Sequence, residues 1–101
     1  MVLARATRAR TGARQGAALR DLDGRTYAAA TVDLPHLQVS AVGGAIAMAV
    51  ASGARGAEAV VVLGDEPVDP NDLAALRDFA GDGVPVHQGT PAGQVNETLT
   101  V

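Results

Sequence analysis

A long uncharged segment in the middle of the chain is the strongest constraint on its fold. From Leu34 to Ala54 there is no Asp, Glu, Lys or Arg, and about 18 such residues can be enough to span a bilayer. Here Pro35 and His36 interrupt the run, and most of the remainder is alanine, glycine and serine, which give little drive for insertion. The segment is therefore predicted to contain a buried helix over residues 38–52, with no membrane association.

The predicted helix 38–52 has no polar face, so it is expected to be covered on all sides. Two stripes of small residues, spaced four apart, allow neighbouring backbones to approach closely. They consist of Gly43, Ala47 and Ala51, and of Ala45, Ala49 and Gly53. Because a chain of 101 residues builds only a modest hydrophobic core, we expect a single domain over residues 1–101 that self-associates through this helix.

Periodicity predicts the remaining elements. Alternation of apolar and polar residues indicates strands, apolar residues three or four apart indicate helices, and a continuous valine-rich run indicates a strand buried on both faces. The predicted helices are 2–11 and 70–80, and the predicted strands are 16–22, 25–32, 58–63, 84–88 and 94–101. In helix 2–11, Leu3, Ala6 and Thr7 are expected to line the buried side.

Turn and breaker residues mark several boundaries. Asp23-Gly24 predicts a tight hairpin in which both turn residues take positive φ. Gly12 suits the end of helix 2–11, where a left-handed residue often terminates a helix. Pro85 favours an edge position for strand 84–88, because proline cannot donate to a sheet ladder.

An acidic cluster precedes and opens helix 70–80, formed by Asp65, Glu66, Asp69 and Asp72. Its spacing matches no calcium-binding loop. Asp69 is a good N-cap with Pro70 at the first helical position, and Asp72 adds negative charge to the first turn. Helix capping and a solvated loop therefore account for the cluster.

Charge and composition narrow the classes of function. The net charge is −3, the only aromatic residues are Tyr27 and Phe79, and most of the acids follow an arginine-rich beginning. These features argue against nucleic-acid binding, which favours a basic surface interleaved with aromatic residues. The absence of cysteine excludes disulfides, thiolate nucleophiles and cysteine-ligated zinc. No charged-then-apolar leader is recognisable, so a cytoplasmic location is expected.

Several short motifs occur in the order used by a known enzyme family. They are Gly16-Ala17-Ala18-Leu19, Asp23-Gly24-Arg25-Thr26-Tyr27, Thr31-Val32-Asp33, Ala45-Ile46 and Ala49-Val50-Ala51-Ser52-Gly53. In these motifs the first half of the chain resembles the cytidine deaminase family, and the second half resembles it weakly. The resemblance implies an α/β fold, an αβα sandwich with a mixed five-stranded sheet and three helices. It also implies assembly into dimers or tetramers through helix 38–52, and a zinc site served by a proton-transferring glutamate.

The residues that serve the zinc chemistry of the family are missing from the corresponding positions. When the helix is aligned on its Ala49–Gly53 end, the first ligand position falls on Ser40 and the catalytic glutamate on Val42. Pro70 matches the family's Pro-Cys-x-x-Cys motif, but Asn71 and Ala74 stand in place of its cysteines. A protonated serine hydroxyl is a poor zinc ligand, and valine has no proton to transfer. We therefore expect no catalytic residues, no metal and no zinc cofactor.

Other interpretations of the site stay open. His36-Leu37-Gln38 mimics the His-x-Glu triplet in another register, with glutamine in place of glutamate. Thr31 and Asp33 stand where the family holds the ribose hydroxyls, so they are candidate nucleoside-binding residues. Alternatively, Asp33 ends a strand and caps the following turn.

The preferred interpretation is a cytidine-deaminase-like protein that has lost catalysis and acts as an oligomeric scaffold or binds an unidentified protein partner. One alternative is a cytidine deaminase-type hydrolase with unorthodox metal ligands. The other is a nucleoside-binding module that uses the remnant pocket.

Overall fold

The computed structural model describes residues 2–101, which form three helices and seven strands. The helices are α1 (Val2–Thr11), α2 (Ala41–Ala51) and α3 (Pro70–Ala80). The strands are β1 (Gln15–Asp21), β2 (Thr26–Ala30), β3 (Val32–Leu34), β4 (Leu37–Val39), β5 (Ala57–Gly64), β6 (Pro85–Gly89) and β7 (Val95–Thr100). The predicted order of elements is confirmed, with one addition. The short β3–β4 ribbon that precedes α2 has no counterpart among the elements predicted from the sequence.

Five of the strands form one mixed sheet in the order β2-β1-β5-β6-β7, and only the β5–β6 pair is parallel. Alternation along β5 divides its side chains between the two faces. Val60 and Val62 join the main core with residues of α2 and α3, whereas Leu63 packs with Ala4 of α1 and Val61 against it. The predicted αβα sandwich with a mixed five-stranded sheet is therefore confirmed.

The buried face of α1 differs from the prediction. Ala4 and Thr7 face the sheet, whereas Leu3 is 50% exposed and Ala6 is also exposed. The reason lies in β1, where a Cβ atom on Gly16 would overlap the carbonyl oxygen of Ala4. Because the helix backbone rests directly on this glycine, only small side chains fit between α1 and the sheet.

The hairpin between β1 and β2 forms as predicted, but with a different turn. Gly24 has a φ of 85°, while no non-glycine residue among 2–101 has positive φ, so the expectation for Asp23 is wrong. The side chain of Asp21 shapes the turn instead. One of its oxygens accepts from the backbone N–H groups of Asp23 and Arg25, both at 2.9 Å, and the other accepts from the Tyr27 hydroxyl at 2.9 Å.

The helix α2 begins later than predicted, at Ala41 rather than at residue 38, because residues 37–39 pair with β3. Ser40 is its N-cap, and Gly53, with a φ of 83°, follows the C-cap Ser52. Within residues 2–101, no helix has both the length and the apolar character needed to cross a bilayer.

The strand β6 lies between β5 and β7, so the edge position predicted from Pro85 is wrong. Pro85 is the first residue of the strand, and the parallel pairing with β5 starts one residue later, at Val86. The missing N–H of a proline is tolerated at this first position. The edges of the sheet are β2 and β7.

Candidate functional site

A cleft of about 640 Å³ opens where the starts of α2 and α3 meet the β3–β4 ribbon and the loop after β5. Its ionisable lining groups are Arg14, Asp33, Glu66, Asp69 and Asp72. Four carboxyl groups and one guanidinium make the lining predominantly acidic. The cleft also includes Ser40, the position aligned with the first zinc ligand of the family.

Hydrogen bonds to neighbouring strands fix the loop that forms one wall of this cleft. The Gln15 side-chain amide in β1 donates to the carbonyl oxygen of Glu66 at 3.2 Å. The Gln88 side-chain oxygen in β6 accepts from the N–H of Val68 at 2.8 Å, and Val68 itself is buried in the main core. The loop is therefore anchored from both sides of β5.

Ser40 and Asp72 meet at the floor of the cleft. The hydroxyl of Ser40 accepts from the N–H of Gly43 at 2.9 Å, which caps α2, and donates to Oδ1 of Asp72 at 2.6 Å. Asp69 caps α3 by accepting from the N–H of Asn71 at 2.8 Å. Both helices thus begin at the cleft, and in each a side-chain oxygen accepts a hydrogen bond from a backbone N–H of the first turn that has no partner within the helix.

Asp72 is only 7% exposed, and this burial is the main influence on the ionisation of its carboxyl group. Burial raises the pKa of this carboxyl above its ordinary value, the hydrogen bond from Ser40 lowers it, and the nearby charge of Asp69 raises it further. The net direction is upward, because burial is the largest of these effects. Asp72 is thus a carboxyl group held in an environment that disfavours its charge.

The other positions aligned with the zinc site do not converge on Ser40. Val42 is 3% exposed and belongs to the main core. Asn71 and Ala74 are exposed on α3, and neither lines the cleft. The first turn of α3 directs Asp72 toward α2 instead.

The candidate nucleoside-binding residues Thr31 and Asp33 both line the cleft. The hydroxyl of Thr31 is occupied by β1, since it accepts from the N–H of Gln15 at 3.1 Å and lies 3.4 Å from the Gln15 carbonyl oxygen. Asp33 is exposed in the middle of β3 opposite Gln38, and its side chain makes no hydrogen bond or ion pair with another residue of 2–101. The interpretation of Asp33 as a turn cap is therefore wrong, and its carboxylate faces solvent in the cleft.

The alternative register through His36 and Gln38 falls outside the start of α2. His36 lies in the exposed turn between β3 and β4, and Gln38 is within β4. Only Gln38 reaches the cleft. These two residues therefore do not occupy the first turn of the helix, where the family's triplet lies.

Zinc does not fit the side chains at this junction. A catalytic zinc takes three protein ligands, usually histidine, cysteine or carboxylate. Among residues 2–101, no three histidine, aspartate or glutamate side chains lie close enough together to hold a metal ion. The Ser40 hydroxyl donates its hydrogen to Asp72, and one carboxylate oxygen of Asp69 caps α3. The side chains of the junction therefore do not provide a ligand set for zinc.

The inward position of Asp72 was not predicted from the sequence. A signal was present, because Asp72 lies four residues before Leu76 and seven before Phe79, which places it on the apolar face of α3. A charged residue on the buried face of a helix requires a polar partner. That partner, Ser40, lies 32 residues away in sequence, so no local pattern identifies it.

Comparison with known proteins gives a consistent result. A family model described as cytidine deaminase-like matches residues 1–93. The structure of cytidine deaminase from Burkholderia pseudomallei superposes with a TM-score of 0.80 at 23% identity, covering 98% of this chain and 90% of that chain. Cytidine deaminase from Mycobacterium leprae gives a TM-score of 0.72 at 22% identity, covering 96% and 86%. The enzyme from Mycobacterium tuberculosis gives 0.73 at 17% identity, covering 84% and 78%.

These structural similarities, all below 25% identity, concern the fold. No protein of curated function matches the sequence significantly. The family model, however, spans all three helices and β1 to β6. The chain therefore belongs to the cytidine deaminase-like family.

Proposed function

We propose that this protein is a catalytically inactive member of the family that acts as a self-associating scaffold or binds a protein partner. The observation that carries the proposal is the composition of the α2–α3 junction. A hydrogen-bonded serine and carboxyl group stand there with a buried valine, Val42, at the position aligned with the proton-transferring glutamate. An aliphatic side chain cannot move the protons that deamination requires.

The surface of α2 supports the scaffold part of the proposal. Its outer face carries Ala47, Met48, Val50 and Ala51, of which Met48 is 45% and Val50 is 54% exposed. The helix contains no charged residue, so water meets an uninterrupted apolar strip. Contiguous apolar surface of this kind favours a contact with another protein surface. A second copy of the chain offers the same strip, as a two-fold interface requires.

Catalysis is tested directly by following the ultraviolet absorbance of cytidine with the purified protein, together with its zinc content. We expect no protein-dependent loss of absorbance and far less than one zinc per chain. Deamination that a chelator abolishes would contradict the proposal and support the hydrolase with unorthodox ligands. Ser40→Ala and Asp72→Asn would then show whether the junction takes part.

Self-association is tested by sedimentation velocity. We expect the parent chain to sediment as a dimer or tetramer, and Ala47→Glu to shift it toward monomer, because a carboxylate buried in an apolar contact costs several kcal/mol. Ala9→Glu on the exposed side of α1 is the matched control and should leave the oligomer unchanged. A monomeric parent chain would contradict the scaffold proposal.

A second candidate function is binding of a nucleoside without chemistry, and the unpaired Asp33 carboxylate in the cleft favours it. Carboxylates accept hydrogen bonds from sugar hydroxyls. Native mass spectrometry with added cytidine should then show a complex that Asp33→Asn weakens by about tenfold, the loss of one charge-assisted hydrogen bond. Asp78→Asn, on the exposed side of α3, is the control. No complex at millimolar cytidine would exclude this candidate.

A further inference from the structure

The hydroxyl of Ser40 joins two helices that are otherwise distant in sequence. It caps α2 through the N–H of Gly43 and also donates to Asp72 in the first turn of α3. The carboxyl group of Asp72 consequently lies at the start of both helices, where it accepts the hydrogen bond from Ser40. One side-chain pair thus satisfies polar groups of two elements.

The beginning of α2 is shaped to admit this contact. A Cβ atom added at Gly43 would lie 2.8 Å from Oγ of Ser40, closer than a side-chain contact allows. The glycine therefore leaves the space in which the Ser40 hydroxyl reaches both the helix N–H and Asp72.

We propose that the hydrogen bond from Ser40 to Asp72 is a metal-independent link between α2 and α3, which takes the mechanical place of the family's zinc centre. A metal held by residues from two helices also cross-links them and contributes to folding. When its ligands are replaced, that link is lost unless other groups take it over. Here the serine and the carboxyl group do so, and the arrangement of the cleft does not depend on zinc.

Amide hydrogen exchange tests the link, because it reports on one helix when the other is changed. Asp72→Ala should increase the exchange rate of the Gly43 amide about tenfold, since Ser40 loses the partner that fixes its hydroxyl. Asp72→Asn keeps an accepting oxygen and should exchange at nearly the parent rate. Asp78→Ala, which removes an exposed carboxylate of the same helix outside the cleft, is the control and should leave the Gly43 amide unchanged.

A second variant, changed at Ser40, covers the case in which Asp72→Ala does not fold. Ser40→Gly retains a residue that is favourable at an N-cap but removes the link. It should accelerate exchange in the first turn of α3, at the amides of Asp72 and Leu73. Thermal melts of the parent chain should shift by less than about 2 °C on adding a chelator or zinc.

Two results would overturn the inference. One is a Gly43 amide that exchanges at the parent rate in Asp72→Ala while the amides of α3 are equally unaffected by Ser40→Gly. The other is a parent chain whose melting temperature falls sharply on chelation, since a bound metal would then hold the helices together.

Discussion

Replacement of Val42 by the glutamate of the family tests whether this position faces the core or the cleft. Val42 is 3% exposed and packs in the main core, so the substitution loses the burial of an aliphatic side chain, worth about 1.5–3 kcal/mol. A buried carboxyl must also stay protonated at pH 7. The ordinary pKa of glutamate, about 4.3, lies about 2.7 units below pH 7, so keeping the carboxyl protonated costs about 4 kcal/mol. The sum, about 5.5–7 kcal/mol, rivals the whole stability of a small domain.

Thermal and urea unfolding measure this loss. Val42→Glu should melt at least 20 °C below the parent chain at pH 7, or fail to fold, because about 1 kcal/mol corresponds to about 4–8 °C in a domain of this size. Val42→Gln is the matched control, since it has the same shape without the ionisable group. The difference between the two variants should shrink as the pH falls toward 4. A Val42→Glu protein that melts within a few degrees of the parent at pH 7 would refute the argument and place position 42 in the cleft.

Three further predictions concern other contacts. Gly16→Ala should destabilise the chain by about 1–3 kcal/mol and increase amide exchange in α1, because the added methyl group displaces that helix from β1. Unchanged exchange in α1 would contradict the close contact between this helix and Gly16. Burial acts to raise the pKa of Asp21, but hydrogen bonds from the Arg25 N–H, the Tyr27 hydroxyl and the Asp23 N–H outweigh it, so the net direction is downward. Its stabilisation is therefore present above the ordinary carboxyl pKa and lost as the pH falls through the lowered value, and Tyr27→Phe should destabilise the chain more at pH 7 than at pH 3 in urea melts. For Asp72, whose pKa is raised, the sign is opposite: its contribution to stability is lost as the pH rises above about 4 through the raised value. The stability of Asp72→Asn relative to the parent chain should therefore increase between pH 4 and 7. A difference in unfolding free energy that stays constant over this range would contradict the raised pKa.

Much of the fold could be predicted from the sequence, because its signals are local. Asp69 and Pro70 mark the first turn of α3, whose predicted range of 70–80 is the observed one. The alternation around Asp23-Gly24 predicts the β1–β2 hairpin, and the valine run predicts a strand at β5. Caps, turns and periodicities act between residues a few positions apart, so a single segment carries the information.

The details of the candidate site depended on packing. Thr31, Asp33 and Ser40 were identified from the family resemblance, and the structure brings all three to one cleft. Whether Val42, Asn71 or Ala74 faced that cleft could not be read from their spacing, because it depends on how α2 and α3 rotate about their axes when they pack. The ribbon β3–β4 was likewise hidden, since each strand has only three residues and gains its structure from pairing with the other.

The sequence by itself determined the family, the order of all elements except the β3–β4 ribbon, and the absence of cysteine chemistry. Only the tertiary structure decided which face of α1 is buried, because the contact at Gly16 admits small side chains and excludes Leu3. Only the tertiary structure also showed that Asp72 points inward to Ser40, across 32 positions of sequence. A hydrogen bond of this kind forms where two helices meet, and the geometry of that meeting is set by the whole core.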